Sequence, residues 1–146
     1  MNSLRSQINH VDSGAVAAQL KSVFGRLADE RNIGAVLIGE AIAVNSSLSL
    51  GVDDFLLFTS IDLVRSWLVE RDFHFEWLAA AIVAADDCCK FDRSQDFAAD
   101  GNKALISGKI EMTLVGSLIE VYVFDLTEVT IFARNEAAAA LLPDVF

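Results

Sequence analysis

Two adjacent carboxylates, Asp53 and Asp54, stand at the start of an apolar run, FLLF at 55–58. Carboxylates that converge on one point bind Mg²⁺, and bound Mg²⁺ supplies the charge that phosphoryl-type transfer requires. On a strand, however, adjacent side chains point to opposite faces and cannot share one ion. No lysine or arginine lies between Arg31 and Arg65 to assist. We therefore expect the two aspartates to be the polar start of a short buried strand.

The same region carries a pattern that resembles the signature of the nucleotidyltransferase superfamily. Ile38 and Gly39 match the apolar residue and the glycine that open the signature, and Asp53 falls where its first metal-binding carboxylate stands. Two positions depart from it. Glu40 occupies the place of a second Gly or Ser, and Phe55 occupies the place of the second carboxylate. The resemblance therefore implies a degenerate transferase fold without a catalytic metal pair.

A second acidic segment, DRSQDFAADGNK at 92–103, begins like a calcium-binding loop. Its first, third and fifth residues suit the ligand positions of an EF-hand. The sixth position requires glycine for a sharp turn but holds Phe97, and the twelfth requires a bidentate glutamate but holds Lys103. The segment is therefore interpreted as a solvated turn, and we expect no metal site.

The chain has two histidines, His10 and His74, and two adjacent cysteines, Cys88 and Cys89. The histidines have no metal-ligand spacing, and neighbouring thiols form neither a disulfide framework nor a CxxC motif. A cysteine nucleophile would need His74 as its base, and nothing in the sequence places them together. We expect reduced, buried thiols in a cytoplasmic protein, with no catalytic residue and no cofactor.

An aromatic stretch gives the remaining candidate site. The simpler interpretation of this stretch is that its aromatic side chains pack in the core. The alternative is an apolar ligand pocket, because aromatic side chains supply a large contact area at low entropic cost. That pocket would be formed by Phe73, His74, Phe75, Glu76 and Trp77.

Two helices have clear patterns. The first spans 13–29, with Asp12 or Ser13 as its cap. Its apolar stripe consists of Val16, Leu20, Val23, Phe24 and Leu27. The second spans 61–72 and opens on TSID, which has the form of a capping box. Its stripe consists of Ile61, Val64, Trp67 and Leu68.

Other segments are less specific. Residues 33–44 are apolar all round, so periodicity does not separate helix from strand. Residues 73–77 fit either a brief strand or the first turn of a helix that continues through WLAAAIVAA. Near the end of the chain we expect a turn at 125–127, a strand at 129–132 and a short helix capped by Asn135.

The strongest β signal is KIEMTLVGSLIEVYVF at 109–124. Gly116-Ser117 predicts a type II′ turn, which requires glycine first. The expected cross-strand pairs are Leu114 with Ile119, Met112 with Val121, and Ile110 with Val123. All six side chains are apolar and share one face, as in a half-buried hairpin. The other face carries Glu111, Thr113, Glu120 and Tyr122, with Val115, Leu118 and Phe124 towards the ends.

Composition limits the function classes. A chain of 146 residues fits one domain, 1–146. The net charge of −10 repels phosphate backbones, so we expect no nucleic-acid binding. No apolar stretch reaches the roughly 18 residues of a membrane-spanning helix, and no secretory signal is readable. Hydrophobic residues make up 53%, against about 45–50% in typical domains. Either the core is rich in apolar residues or a second copy hides part of the apolar surface, and we favour the second explanation.

Early helices and late strands predict an α+β fold, with an N-terminal amphipathic helix and further helices on a mainly antiparallel sheet that ends in a hairpin or meander. We expect a small acidic, non-catalytic interaction module, a homodimer that also engages a basic protein or an apolar ligand. The expected interface consists of Val115, Leu118, Tyr122 and Phe124. The alternatives are the degenerate transferase and a small-molecule-binding protein or minor enzyme that uses the aromatic pocket.

Overall fold

The computed structural model describes residues 4–9, 12–27, 33–50, 56–84 and 117–142. Several residues singled out above lie outside these ranges: His10, Asp53, Asp54, Phe55, Cys88, Cys89, the segment 92–103 and Val115. The first strand of the expected hairpin, up to Gly116, also lies outside them.

The described residues form seven strands and three helices. The elements are β1 (Leu4–Asn9), α1 (Ser13–Leu27), β2 (Ile33–Ala43), β3 (Ser49–Leu50), β4 (Leu56–Phe58), α2 (Ile61–Arg71), β5 (Phe75–Ala84), β6 (Ser117–Phe124), β7 (Glu128–Ala133) and α3 (Glu136–Ala139).

All seven strands form one antiparallel sheet, in the order β1-β7-β6-β5-β2. The outer edge of β2 pairs with both β3 and β4. Consecutive strands β5, β6 and β7 are neighbours and form a C-terminal meander. The α+β class, the mainly antiparallel sheet and the meander are therefore confirmed.

The helices pack on one face of this sheet. Every residue of the predicted α1 stripe is buried, and all five belong to one core cluster with strand residues such as Val36 and Ile82. Helix α1 also contacts α2. Asp12 is the cap, because its Oδ1 accepts a hydrogen bond from the backbone N–H of Ala15 at 2.7 Å. The amphipathic helix is therefore confirmed in position and in the face that it buries.

The two apolar segments for which the sequence pattern fits both helix and strand form long strands. Segment 33–44 forms β2, and the run through WLAAAIVAA forms β5 rather than a helix. Both strands lie inside the sheet, and β5 is buried on both faces, so neither shows the alternation typical of a half-exposed strand. The alanines favour a helix locally, but tertiary packing decides the outcome. The expected strand before α2 is short, and it lies at the sheet edge with Leu57 exposed.

Only the second strand of the hairpin predicted around Gly116-Ser117 lies within the described residues. Ser117 belongs to β6, and both edges of β6 are already paired. Ile119 lies opposite Ile82 of β5 on one side and Ala133 of β7 on the other. The other members of the three expected cross-strand pairs, Leu114, Met112 and Ile110, lie outside the described residues. Pairing partners are chosen by non-local contacts, which an alternating pattern does not specify.

The turn from β6 to β7 falls where it was expected. Asp125 and Leu126 have φ of 51° and 71°, and the N–H of Thr127 bonds to the carbonyl of Phe124 at 3.3 Å. Two successive positive φ values are typical of a type I′ turn, whose twist suits adjacent antiparallel strands. Farther along, Asn135 caps α3 by accepting a hydrogen bond from the N–H of Ala138 at 2.9 Å.

Candidate functional site

Helix α2 begins one residue later than a capping box at Thr59 would require. The cap is Ser60, whose backbone is extended and whose hydroxyl oxygen accepts from the N–H of Leu63 at 3.4 Å. Leu63 therefore occupies the position where a capping box would place its acidic residue. Asp62 lies in the first turn instead, where its charge complements the helix dipole.

The other end of α2 is fixed by Asp72 and its neighbours. Asp72 is left-handed, with φ 47°, and its N–H bonds to the carbonyl of Leu68 at 3.0 Å. Its side chain pairs with Lys21 of α1, Nζ to Oδ1, at 2.5 Å. The Asn45 side chain donates to the Asp72 carbonyl and accepts from the His74 N–H, each at 2.8 Å. Two other segments, α1 through Lys21 and the turn after β2 through Asn45, thus hold the C-terminal end of the helix.

The ion pair makes one part of the stability depend on pH. The hydrogen bond and the charge of Lys21 lower the pKa of Asp72. A lowered pKa means that this stabilisation is present above the unfolded pKa of about 3.9 and is lost as pH falls through the folded value. We expect Asp72→Asn, which tolerates the left-handed backbone, to lower the melting temperature at neutral pH but not in strong acid.

Thermal melts between neutral and acid pH would measure this difference. Lys21→Met is the matched control, because it removes the same pair from the other side and should show the same pH profile. The double variant should add little to either single one. A deficit of Asp72→Asn that persists unchanged in acid would contradict the assignment to the ion pair.

Helix α2 carries apolar residues on its exposed side as well as on its buried side. Ile61, Val64 and Leu68 are buried, as predicted, and Trp67 is half-buried. Two further apolar residues, Leu63 and Val69, lie off this stripe and are 52% and 55% exposed. We call the exposed residues between positions 62 and 70 the outer face of α2. They are Asp62, Leu63, Arg65, Ser66, Val69 and Glu70.

A shallow depression of about 390 Å³ lies on this outer face. The described residues that line it are Asp62, Arg65, Ser66, Val69 and Glu70. The first four have the i, i+3, i+4, i+7 spacing that forms the hole of knobs-into-holes helix packing. Such a hole accepts a side chain from a second helix. Leu63 is not part of the lining.

The five residues of the predicted aromatic pocket do not converge. Phe73 and Phe75 pack against Trp67 in the core, with ring centroids 4.9 and 6.0 Å from it. Trp77 lies on the opposite face of the sheet, 6.3 Å from the ring of Phe124.

A β-bulge separates the two groups of aromatic residues. Trp77 pairs with Ile42 and Phe75 with Ala43, which leaves Glu76 as the extra residue. A bulge reverses the alternation of side chains, so Phe75 and Trp77 point to opposite faces. The backbone carbonyl of Glu76 accepts from Leu126 at 3.3 Å, and that of His74 accepts from Val44 at 2.9 Å. The stretch therefore belongs to the core and to the strand framework.

The expected interface residues are likewise divided. Tyr122 is fully buried and Phe124 nearly so, both in a second cluster on the sheet face opposite the helix-covered core. Leu118 is partly buried against the helix-covered core. Val115 lies outside the described residues. The structure brings Tyr122 and Phe124 together, but not with Leu118.

A buried polar cluster, made of Ser117, Glu120, Tyr122 and Arg134, was not found from the sequence. The Glu120 carboxylate is fully buried and accepts from the Ser117 hydroxyl at 2.6 Å and from the Tyr122 hydroxyl at 2.5 Å. Arg134 donates through Nη2 to the Ser117 hydroxyl at 3.4 Å and through Nε to the Ser117 carbonyl. The cluster ties β6 to the end of β7, and its chemistry is that of a structural network.

The buried polar cluster has a neighbour in β7. Thr130 lies opposite Tyr122 and is fully buried, yet its hydroxyl has no hydrogen-bond partner among the described residues. Glu40, from the transferase-like pattern, is also buried, and it lies within β2 rather than at the end of a strand. The sequence signal for such burial is weak, because an acidic residue in an alternating strand normally indicates the solvent face.

Neither a metal-binding cluster nor a membrane-spanning helix is found among the described residues. In the part of the chain that the structure describes, no group of three or more His, Cys, Asp and Glu residues could hold a metal ion. Nor does any helix in the same ranges have the length and apolar character to cross a membrane. Comparison with known proteins found no matching family, no matching curated protein and no matching solved structure.

Proposed function

We propose that this protein is a non-catalytic interaction module that self-associates, and that the outer face of α2 makes the contact. The observation that carries the proposal is the more than half-exposed pair Leu63 and Val69, on a helix that already buries a full stripe on its inner face. A helix with apolar residues on both sides is typical of one that packs against two bodies. In the part of the chain that the structure describes, the hydrophobic core packs against the inner side.

We choose this surface because two of the exposed apolar side chains lie on the same helix. Single exposed apolar side chains are common and need no explanation. Among the described residues, the large apolar side chains that are exposed are Val44, Leu57, Leu63 and Val69. Val44 lies in a turn and Leu57 on an edge strand, whereas the other two share one helix face with a depression between charged groups. Tyr122 and Phe124 are less suitable, because both side chains are already buried within the fold.

Rigidity also favours this surface. The cap at Ser60 and the contacts of Asp72 with Lys21 and Asn45 fix both ends of α2. A surface that is already ordered loses little conformational entropy when it binds, so a small contact area retains more of its favourable energy.

The net charge of the protein determines how its association should depend on salt. Two copies that each carry −10 repel one another, so added salt should strengthen self-association by screening that repulsion. The same charge would speed association with a basic protein, for which added salt has the opposite effect.

The test is the solution mass across a range of concentrations. We expect sedimentation equilibrium to show the mass rising from 15.8 kDa towards twice that value between about 10 µM and 1 mM protein, and rising earlier in high salt. A monomer at every concentration and salt level would overturn the proposal.

A further inference from the structure

We draw no further inference here: the strongest candidate, the buried polar cluster together with Thr130, which lies opposite Tyr122 in β7, belongs to the structural network already described, and nothing among the described residues shows a ligand that would pair with the Thr130 hydroxyl.

Discussion

Replacing Glu120 by alanine should destabilise the protein by about 2–6 kcal/mol, because each of two buried hydroxyls that lose this acceptor costs about 1–3 kcal/mol. Glu120 is fully buried and accepts from both Ser117 and Tyr122. Without it, the hydroxyls of Ser117 and Tyr122 lose the carboxylate oxygens to which they donate. Since domains are stable by about 5–15 kcal/mol in total, this single change removes a large fraction of the stability.

Equilibrium unfolding in urea, followed by circular dichroism, would measure the loss. Tyr122→Phe is the graded control, because it removes one donor and keeps the ring, and it should cost about 1–2 kcal/mol. The double variant should cost less than the sum of the two single ones, since both remove the same hydrogen bond. If Glu120→Ala costs no more than about 1 kcal/mol, the cluster does not stabilise the fold as proposed.

Phe75→Ala should cost about 3–5 kcal/mol, the usual range for truncating a buried aromatic residue. Phe75 is almost fully buried, 5.4 Å from the ring of Phe73 and 6.0 Å from that of Trp67. The cavity left behind would be lined by these rings. This expectation separates core packing from the ligand-pocket hypothesis, because a pocket residue can be truncated at a much lower cost in stability.

Tryptophan fluorescence during urea unfolding reports on this cluster through Trp67. Phe75→Leu is the graded control, because it keeps a large apolar side chain, and it should cost less stability than Phe75→Ala. A loss below about 1 kcal/mol for Phe75→Ala, with a folded protein, would favour an open pocket over a packed core.

The parts of the fold that depend on local pattern were predictable, and those that depend on non-local choice were not. The α1 stripe follows helical periodicity, and its five residues are all buried. Strand β6 pairs with β5 on one edge and with β7 on the other, and a period-two pattern carries no information about which strands become neighbours. The β-bulge at Glu76, which separates the expected pocket residues, could not be predicted from the sequence either.

The candidate surface had a sequence signal that was not used. Leu63 and Val69 fall off the apolar stripe of the second helix, and apolar residues there indicate a second contact. The buried Glu120 had no such signal. Its position in an alternating strand predicts the solvent face, and only the three-dimensional network with Ser117, Tyr122 and Arg134 explains its burial.

The pairing of the first strand with the last has a consequence for the order in which the chain folds. Leu4 lies opposite Ala133, so β1 cannot dock until nearly the whole described chain has been synthesised and β7 is in place. Contacts between residues so distant in sequence slow folding, because the intervening loop must be closed before any pairing compensates for it. During synthesis, the helix α1 and its hydrophobic stripe therefore emerge long before the strand ahead of them has a neighbour, and β1 is expected to be among the last elements to gain protection from hydrogen exchange.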